Sequence, residues 1–265
     1  MTWLARAVSE QRVLGEGLGT VLLLHAGIAD SGMWRLQIEA LQAAGYRVLT
    51  PDLRGFGERV LEPVPFSYVR DVEVLLDGPT AVVGNSLGGR VALELAVYRP
   101  ELVERLVAIA PGLPGWEWSP ETRAGWTEEE TAYDSGDLEA AAEASLRMWV
   151  DGPRRAPEEV DPAIRSAVAE MVLRSYEMQA HGWEAGAREE DVLDPPVNLR
   201  LHDIRCPTLV IVGEHDVADM RSIAAHIAHS VNGARLVEVA GAAHLPSLER
   251  PDEVNALLLA FLVDG

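Results

Sequence analysis

The sequence contains no lysine, since every one of its 22 Lys and Arg positions is an arginine. A phosphate-binding P-loop needs a lysine on the β- and γ-phosphates of its nucleotide. Pyridoxal-phosphate enzymes and Schiff-base aldolases need an amine nucleophile from the protein. These classes of site are therefore excluded.

Positive charge is scarce as well. The 22 basic side chains face 42 acidic ones, so the formal net charge at pH 7 is −20. Nucleic-acid-binding proteins gain most of their affinity by setting cationic side chains against phosphates, and anionic membrane surfaces attract cations in the same way. The charge predicts a small-molecule partner, with no nucleic acid and no membrane.

Cysteine and long apolar runs are nearly absent. Cys206 stands alone and cannot form an internal disulfide, so nothing indicates an oxidising compartment. Residues 1–12 lack the apolar segment of a secretion signal, and no apolar run approaches the roughly 20 residues that span a bilayer. We expect a cytoplasmic protein, and the sequence leaves its oligomeric state open between monomer and homodimer.

Short apolar runs bounded by Gly, Pro or Asp alternate with segments of helical periodicity. Continuous apolar runs are typical of strands buried on both faces of a parallel sheet. The order predicts an α/β fold in which helices connect parallel strands. The predicted strands are Val21–Leu24, Tyr46–Thr50, Thr80–Val83, Leu106–Ile109, Thr208–Val212 and Arg235–Val239.

Residues 112–201 have a different character. They contain no strand-like run, and helical patterns occur around Leu138–Val150 and Ile164–Met178. We predict a helical lid inserted into a core made of residues 1–111 and 202–265. Five of the seven tryptophans fall in this lid: Trp116, Trp118, Trp126, Trp149 and Trp183.

A Gly-Asn-Ser-Leu-Gly-Gly motif at residues 84–89 lies between a predicted strand and a predicted helix. A serine in a tight strand-to-helix turn takes a strained backbone conformation that exposes its hydroxyl, and flanking glycines leave room for the turn. Ser86 is the candidate nucleophile. The N–H of Leu87, at the start of the helix, is placed to stabilise a developing oxyanion.

A serine nucleophile needs a base and a carboxylate that orients it. His244 follows the last predicted strand and Asp216 follows the one before, so both should lie at the carboxyl edge of the sheet with Ser86. The order Ser, Asp, His is that of one class of triad. Glu214 and Asp219 remain rivals of Asp216. The other histidines are expected at the surface or, for the first, bracing its own loop: His25, His181, His202, His215, His226 and His229.

A second oxyanion donor is expected directly after the first strand. His25-Ala26-Gly27-Ile28 occupies that position, and the N–H of Ile28 would pair with that of Leu87. Each such donor is worth about 3 kcal/mol of transition-state stabilisation.

Five ordered motifs together resemble the α/β-hydrolase superfamily, and most closely its small bacterial serine hydrolases similar to 3-oxoadipate enol-lactonase. They are His-Ala-Gly, Asp-Leu-Arg-Gly-Phe-Gly, Gly-Asn-Ser-Leu-Gly-Gly, Gly-Glu-His-Asp and Gly-Ala-Ala-His-Leu-Pro. The resemblance implies a mostly parallel, eight-stranded sheet with a helical lid. It also implies a triad of Ser86, Asp216 and His244 and no metal or organic cofactor.

The resemblance leaves the reaction open. Hydrolysis of an ester, lactone or thioester is the first hypothesis, and a carbon–carbon bond hydrolase or a lyase like that of the menaquinone pathway is the alternative. A ligand receptor with little turnover is a hypothesis of another class. We predict a largely apolar pocket for an apolar or cyclic substrate, lined by Trp34, Arg90, Arg123 and Trp149.

Overall fold

The computed structural model describes residues 17–263, so the predictions for residues 1–12 lie outside the described part. Its centre is a sheet of six parallel strands in the order β2-β1-β3-β4-β5-β6. The strands are β1 (Thr20–Leu24), β2 (Arg47–Leu49), β3 (Thr80–Asn85), β4 (Val103–Ile109), β5 (Thr208–Gly213) and β6 (Arg235–Val239).

All six predicted strands are present, and the predicted α/β fold with its mostly parallel sheet is confirmed. The described residues supply six of the eight strands that the resemblance implies. The four inner strands are buried on both faces, as their continuous apolar runs predict. The outer strands β2 and β6 are partly exposed, because within residues 17–263 each has a neighbouring strand on one side only.

Alternate residues of each inner strand enter two hydrophobic cores, one on either face of the sheet. The helices of the sheet region are α1 (Arg35–Ala43), α2 (Tyr68–Glu73), α3 (Leu87–Tyr98), α7 (Ala218–Ser230), α8 (Pro246–Glu249) and α9 (Pro251–Val263). In β1, Leu22 and Leu24 pack with helices α2, α3 and α7, whereas Val21 and Leu23 pack with α1 and α9.

Between β4 and β5 the chain forms helices and contributes no strand to the sheet as described. We call residues 112–201 the insertion. Its helices are α4 (Pro120–Asp134), α5 (Leu138–Leu146), which continues into a π-helical turn over Arg147–Asp151, and α6 (Pro162–Glu184). Helix α4 was not predicted, because carboxylates interrupt the apolar side of the helix. Its sequence therefore lacks the apolar periodicity by which helices are recognised.

No helix within residues 17–263 is long and apolar enough to cross a membrane. Parallel strands place their carboxyl ends at a common edge, and loops there build the binding sites of open α/β sheets. The predicted triad and oxyanion residues follow β1, β3, β5 and β6, so they belong to this edge.

Candidate active site

Ser86 occupies the turn between β3 and α3 with φ 52° and ψ −109°. A positive φ is strained for any residue with a side chain and persists only where the surroundings impose it. Here the N–H of Ser86 donates to the Ile109 carbonyl at 2.9 Å, and its carbonyl accepts from the N–H of Gly112 at 3.0 Å. The serine is therefore locked to the end of β4 and the residues after it.

Two glycines make that turn possible. A Cβ at Gly84 would lie 2.1 Å from the Gly88 oxygen, and a Cβ at Gly88 would lie 2.2 Å from the Leu24 oxygen. Both distances are far shorter than a van der Waals contact. The glycines thus bring β1, β3 and α3 together around Ser86, which is the reason that the motif carries them.

His244 and Asp216 meet in the interior. His244 Nδ1 lies 2.9 Å from Asp216 Oδ2, and each residue is 1% exposed. The other carboxylate oxygen of Asp216 accepts the N–H of Val217 at 2.8 Å. When the Asp216 carboxylate accepts a hydrogen bond from Nδ1–H, Nε2 on the far side of the ring is the nitrogen that can act as a base.

The rival carboxylates have other partners. Glu214 accepts the N–H of Gly241 at 2.9 Å, and hydrogen bonding to this N–H lowers its pKa. Asp219 holds the start of α4 by accepting from Ser119 Oγ at 2.6 Å and from Thr122 Oγ1. Asp216 is the carboxylate that reaches His244.

Asn85, next to the serine, has a role that the sequence reasoning missed. Its side chain is fully buried, and Nδ2 donates to the carbonyls of Ile109 and His244, at 3.2 Å each. One amide thereby ties the serine turn to the histidine loop. Its position beside Ser86 was the available signal, but the contact with His244 spans most of the chain.

The two expected oxyanion donors lie together at the cavity that contains Ser86. Ile28 and Leu87 both line it, and within residues 17–263 neither N–H has a hydrogen-bond partner. The next N–H, that of Gly88, donates to the His25 carbonyl at 3.0 Å and joins the two loops. The arrangement leaves two free donors near the candidate nucleophile, as an oxyanion hole requires.

His25 is fully buried and braces the loop, as predicted. Its Nε2 accepts the N–H of Leu53 at 2.9 Å, and Nδ1 donates to the Ala26 carbonyl at 2.8 Å. Burial lowers its pKa and favours the neutral ring. His226, expected at the surface, is partly buried, with Nε2 2.9 Å from Asn198 Oδ1.

A cavity of about 640 Å³ opens above Ser86 and His244. Trp149 covers the histidine, with the two ring centroids 4.4 Å apart, and its carbonyl accepts the N–H of His244 at 3.2 Å. The remaining lining comes largely from aromatic side chains of the insertion: Trp118, Trp126, Tyr133, Tyr176 and Trp183.

Two of the predicted pocket residues lie elsewhere, and a third is already paired. Trp34 is fully buried in the core with α1 and α9, because the 3₁₀ turn Ser31–Trp34, which precedes α1, directs its side chain there. Arg123 is exposed near the start of α4 and does not line the cavity. Arg90 does line it, but its guanidinium is bound to Glu190 at 2.6 Å and lies 3.6 Å from Glu94.

Arg155 joins the insertion to the histidine loop. Its Nη1 lies 2.7 Å from Glu249 Oε2 and 3.1 Å from the Gly241 carbonyl. Glu249 in turn accepts the N–H of Ala243, next to the histidine, at 2.7 Å. Both charged side chains are less than a tenth exposed. We call this pair, with the loop N–H that it holds, the clasp.

Comparison with known proteins gives a consistent result. The model of the family described as "Alpha/beta hydrolase family" matches residues 21–257. A candidate carbamate hydrolase of Azorhizobium caulinodans, RutD, is 31% identical, with 92% of each chain covered. The crystal structure of a hydrolase from Pseudomonas aeruginosa PA01 superposes with a TM-score of 0.76 at 28% identity, covering 97% of each chain.

The enol-lactonase from Burkholderia xenovorans LB400 has the same fold, with a TM-score of 0.74 at 24% identity. It covers 94% of this chain and 93% of its own. The resemblance of the motifs to this group of small bacterial hydrolases is thus confirmed.

Proposed function

The chain belongs to the α/β-hydrolase family and is a hydrolase, and on that premise we propose that it cleaves an ester, lactone or thioester through an acyl-enzyme on Ser86. The observation that carries the proposal is the 2.9 Å contact between His244 Nδ1 and Asp216 Oδ2, beside the cavity that Ser86 lines. A strained serine and an oriented histidine at one cavity favour nucleophilic attack on a carbonyl.

In the proposed mechanism, Ser86 Oγ forms a bond to the carbonyl carbon while His244 Nε2 takes the hydroxyl proton. Asp216 holds the imidazole tautomer and stabilises the imidazolium. The negative oxygen is stabilised by the N–H groups of Leu87 and Ile28. His244 then gives its proton to the leaving oxygen or sulfur as the bond to carbon breaks.

Water completes the cycle. His244 takes a proton from a water molecule, whose oxygen attacks the acyl carbon and forms a second oxyanion at the same donors. The ester bond to Ser86 breaks, the proton returns to Oγ, and a carboxylic acid leaves. No step asks for an amine, which agrees with a sequence that has no lysine.

We also propose that the insertion, residues 112–201, is the lid predicted from the sequence. Its aromatic side chains line the wall of the cavity that faces Ser86, and Trp149 packs on the base. Such a wall supports an acyl or leaving group with a large apolar or ring surface.

The first test is labelling with a fluorophosphonate together with turnover of short-chain aryl esters. The wild-type protein should be labelled once and should turn over repeatedly. Ser86→Ala should lose the label and at least about a thousandfold in kcat, because the nucleophile is gone. The matched control is Ser222→Ala, which removes an exposed serine from α7 and should retain both properties.

The outcomes separate the alternatives. Label that persists in Ser86→Ala, or folded wild-type protein that takes no label, would contradict the proposal. Labelling without multiple turnover would favour a receptor. A panel of lactones, thioesters, aryl carbamates and vinylogous diketones then distinguishes acyl hydrolysis from carbon–carbon cleavage.

A further inference from the structure

Helix α4 turns an unusual stripe towards the cavity. Residues spaced i, i+3, i+4 and i+7 lie on one face of a helix, and here that face consists of Trp126, Glu129, Glu130 and Tyr133, all of which line the cavity. A helix face turned inwards is normally apolar. Two carboxylates at its centre therefore need an explanation in terms of what the cavity holds.

Neither carboxylate has a cationic partner within residues 17–263. Glu129 accepts a hydrogen bond of 2.7 Å from the hydroxyl of Tyr176, a neutral group, and burial raises the pKa of the carboxyl. Glu128, on the outward side of the same helix, is paired with Arg147. The helix thus pairs Glu128 and leaves the two carboxylates that line the cavity, the partly buried Glu129 and the exposed Glu130, without a cationic partner.

The positive charge of the cavity is already matched. Arg90, the arginine that lines it, is bound to Glu190 at 2.6 Å and lies 3.6 Å from Glu94. These two acids compensate the guanidinium, so Glu129 and Glu130 add an uncompensated negative charge to the site. An anionic substrate would meet repulsion, whereas a cation would restore neutrality.

Aromatic rings surround the same space. Trp118 and Trp126 pack edge to face with centroids 4.8 Å apart, and Trp126 lies 6.3 Å from Trp149. The ring centroids of Tyr133 and Tyr176 lie 5.2 Å apart. The faces of such rings attract alkylammonium groups, most strongly where water is excluded, and a nearby carboxylate adds to that attraction.

We propose that the cavity selects substrates that carry an alkylammonium group, bound between the aromatic rings and the carboxylates of Glu129 and Glu130. The inference rests on the proposed function, since it names the substrate class of the same site. The net charge of −20 acts in the same direction by raising the local concentration of cations.

The test compares choline with 3,3-dimethylbutan-1-ol, which has the same shape without the charge. Binding is followed by the tryptophan fluorescence of the wild-type protein, so no turnover is needed. Choline should bind about tenfold more tightly, because both ligands pack against the rings but only the cation is attracted electrostatically by the ring faces and the carboxylates. The double variant Glu129→Gln/Glu130→Gln should bring the two affinities to within about twofold of each other.

Two controls keep the result specific. Glu128→Gln removes the same charge from the outward side of α4 and should leave the choline preference intact. Glu130→Gln alone, at an exposed position, should weaken the preference without loss of folding, which circular dichroism checks.

The inference is overturned if choline binds no better than its neutral isostere, if neither binds, or if the preference survives the double variant. Hydrolysis of choline esters against the matching 3,3-dimethylbutyl esters is measured separately. A protein that prefers choline but cleaves no ester of either series would contradict the proposed function while supporting the cation-binding cavity.

Discussion

At the scale of single residues, Gly88 shows how closely β1 and α3 approach. A Cβ there would lie 2.2 Å from the Leu24 oxygen and 2.7 Å from the His25 oxygen, both backbone atoms that cannot rotate away. Position 88 therefore tolerates no side chain unless α3 separates from β1, the strand that precedes the loop of Ile28.

We predict that Gly88→Ala lowers the free energy of unfolding by about 3 kcal/mol or more, by forcing an overpacked backbone apart. Gly78→Ala is the matched control, because a Cβ there meets no atom within 4 Å. It should change the stability by less than about 0.5 kcal/mol. Urea denaturation of the two variants checks the comparison, and equal midpoints would show that the contact is not restrictive.

Glu94 of α3 is a buried carboxyl whose protonation is linked to folding. Desolvation raises its pKa to about 7, with Arg90 opposing the shift and Glu190 adding to it. The folded chain thus holds this proton up to a higher pH than the unfolded chain does. The stabilisation is complete below a pH of about 4.5 and is lost as the pH rises towards 7.

Glu94→Gln should remove this dependence. Between about pH 5 and pH 8, its free energy of unfolding should rise by about 2 kcal/mol relative to that of the wild type. Glu104→Gln, at an exposed position of β4, should show no such trend. Urea denaturation across this pH range measures the difference, and parallel curves for Glu94→Gln and the wild type would contradict the prediction.

At the scale of elements, the clasp couples the insertion to the loop that carries His244. Besides Glu249, Arg155 binds the carbonyls of Val150 and Asp151, at 2.7 and 2.8 Å, at the end of the π-helical turn. Such turns occur often at functional sites. One arginine therefore fixes the turn that bears Trp149 and, through Glu249, the backbone beside His244.

Arg155→Met should destabilise the protein by about 3 kcal/mol, because it leaves the buried carboxylate of Glu249 unpaired. It should also lower kcat by a larger factor than it raises KM, since the loop of His244 loses its support, whereas most of the aromatic cavity wall lies at α4 and α6. Arg154→Met is the control, because this exposed neighbour makes one hydrogen bond, to the Glu214 carbonyl. Thermal denaturation and ester kinetics test both variants, and identical behaviour of the two would rule out a positioning role.

The way in which the elements form and pack explains which features could be predicted from the sequence. Every strand was predicted, because apolar runs and turn residues are local signals, and the elbow is readable because strand, serine and glycines are contiguous. The sequence analysis missed the stripe of Glu129 and Glu130 and the contact between Arg155 and Glu249, because both features depend on how distant segments pack. Trp34 was assigned to the pocket on proximity in sequence, whereas the turn before α1 directs it into the core.

At the scale of the whole molecule, negative charge exceeds positive charge, and some acidic side chains have a cationic partner whereas others do not. Arginines near the sheet are held in ion pairs, as Arg54 is with Asp71 at 2.5 Å and Arg90 is with Glu190. Arginine suits such pairs because its planar guanidinium can meet a carboxylate with two hydrogen bonds. These two arginines thus fasten loops to helices, Arg54 to α2 through Asp71 and Arg90 of α3 to the loop of Glu190.

Strands β4 and β5 are hydrogen-bonded neighbours although the whole insertion separates them in sequence. The entropy of closing such a loop grows only with the logarithm of its length, so doubling the insertion would cost about 0.6 kcal/mol. The serine, aspartate and histidine all lie outside it. Over evolutionary time, the insertion can therefore lengthen, shrink or be exchanged while the sheet that carries Ser86, Asp216 and His244 folds as before.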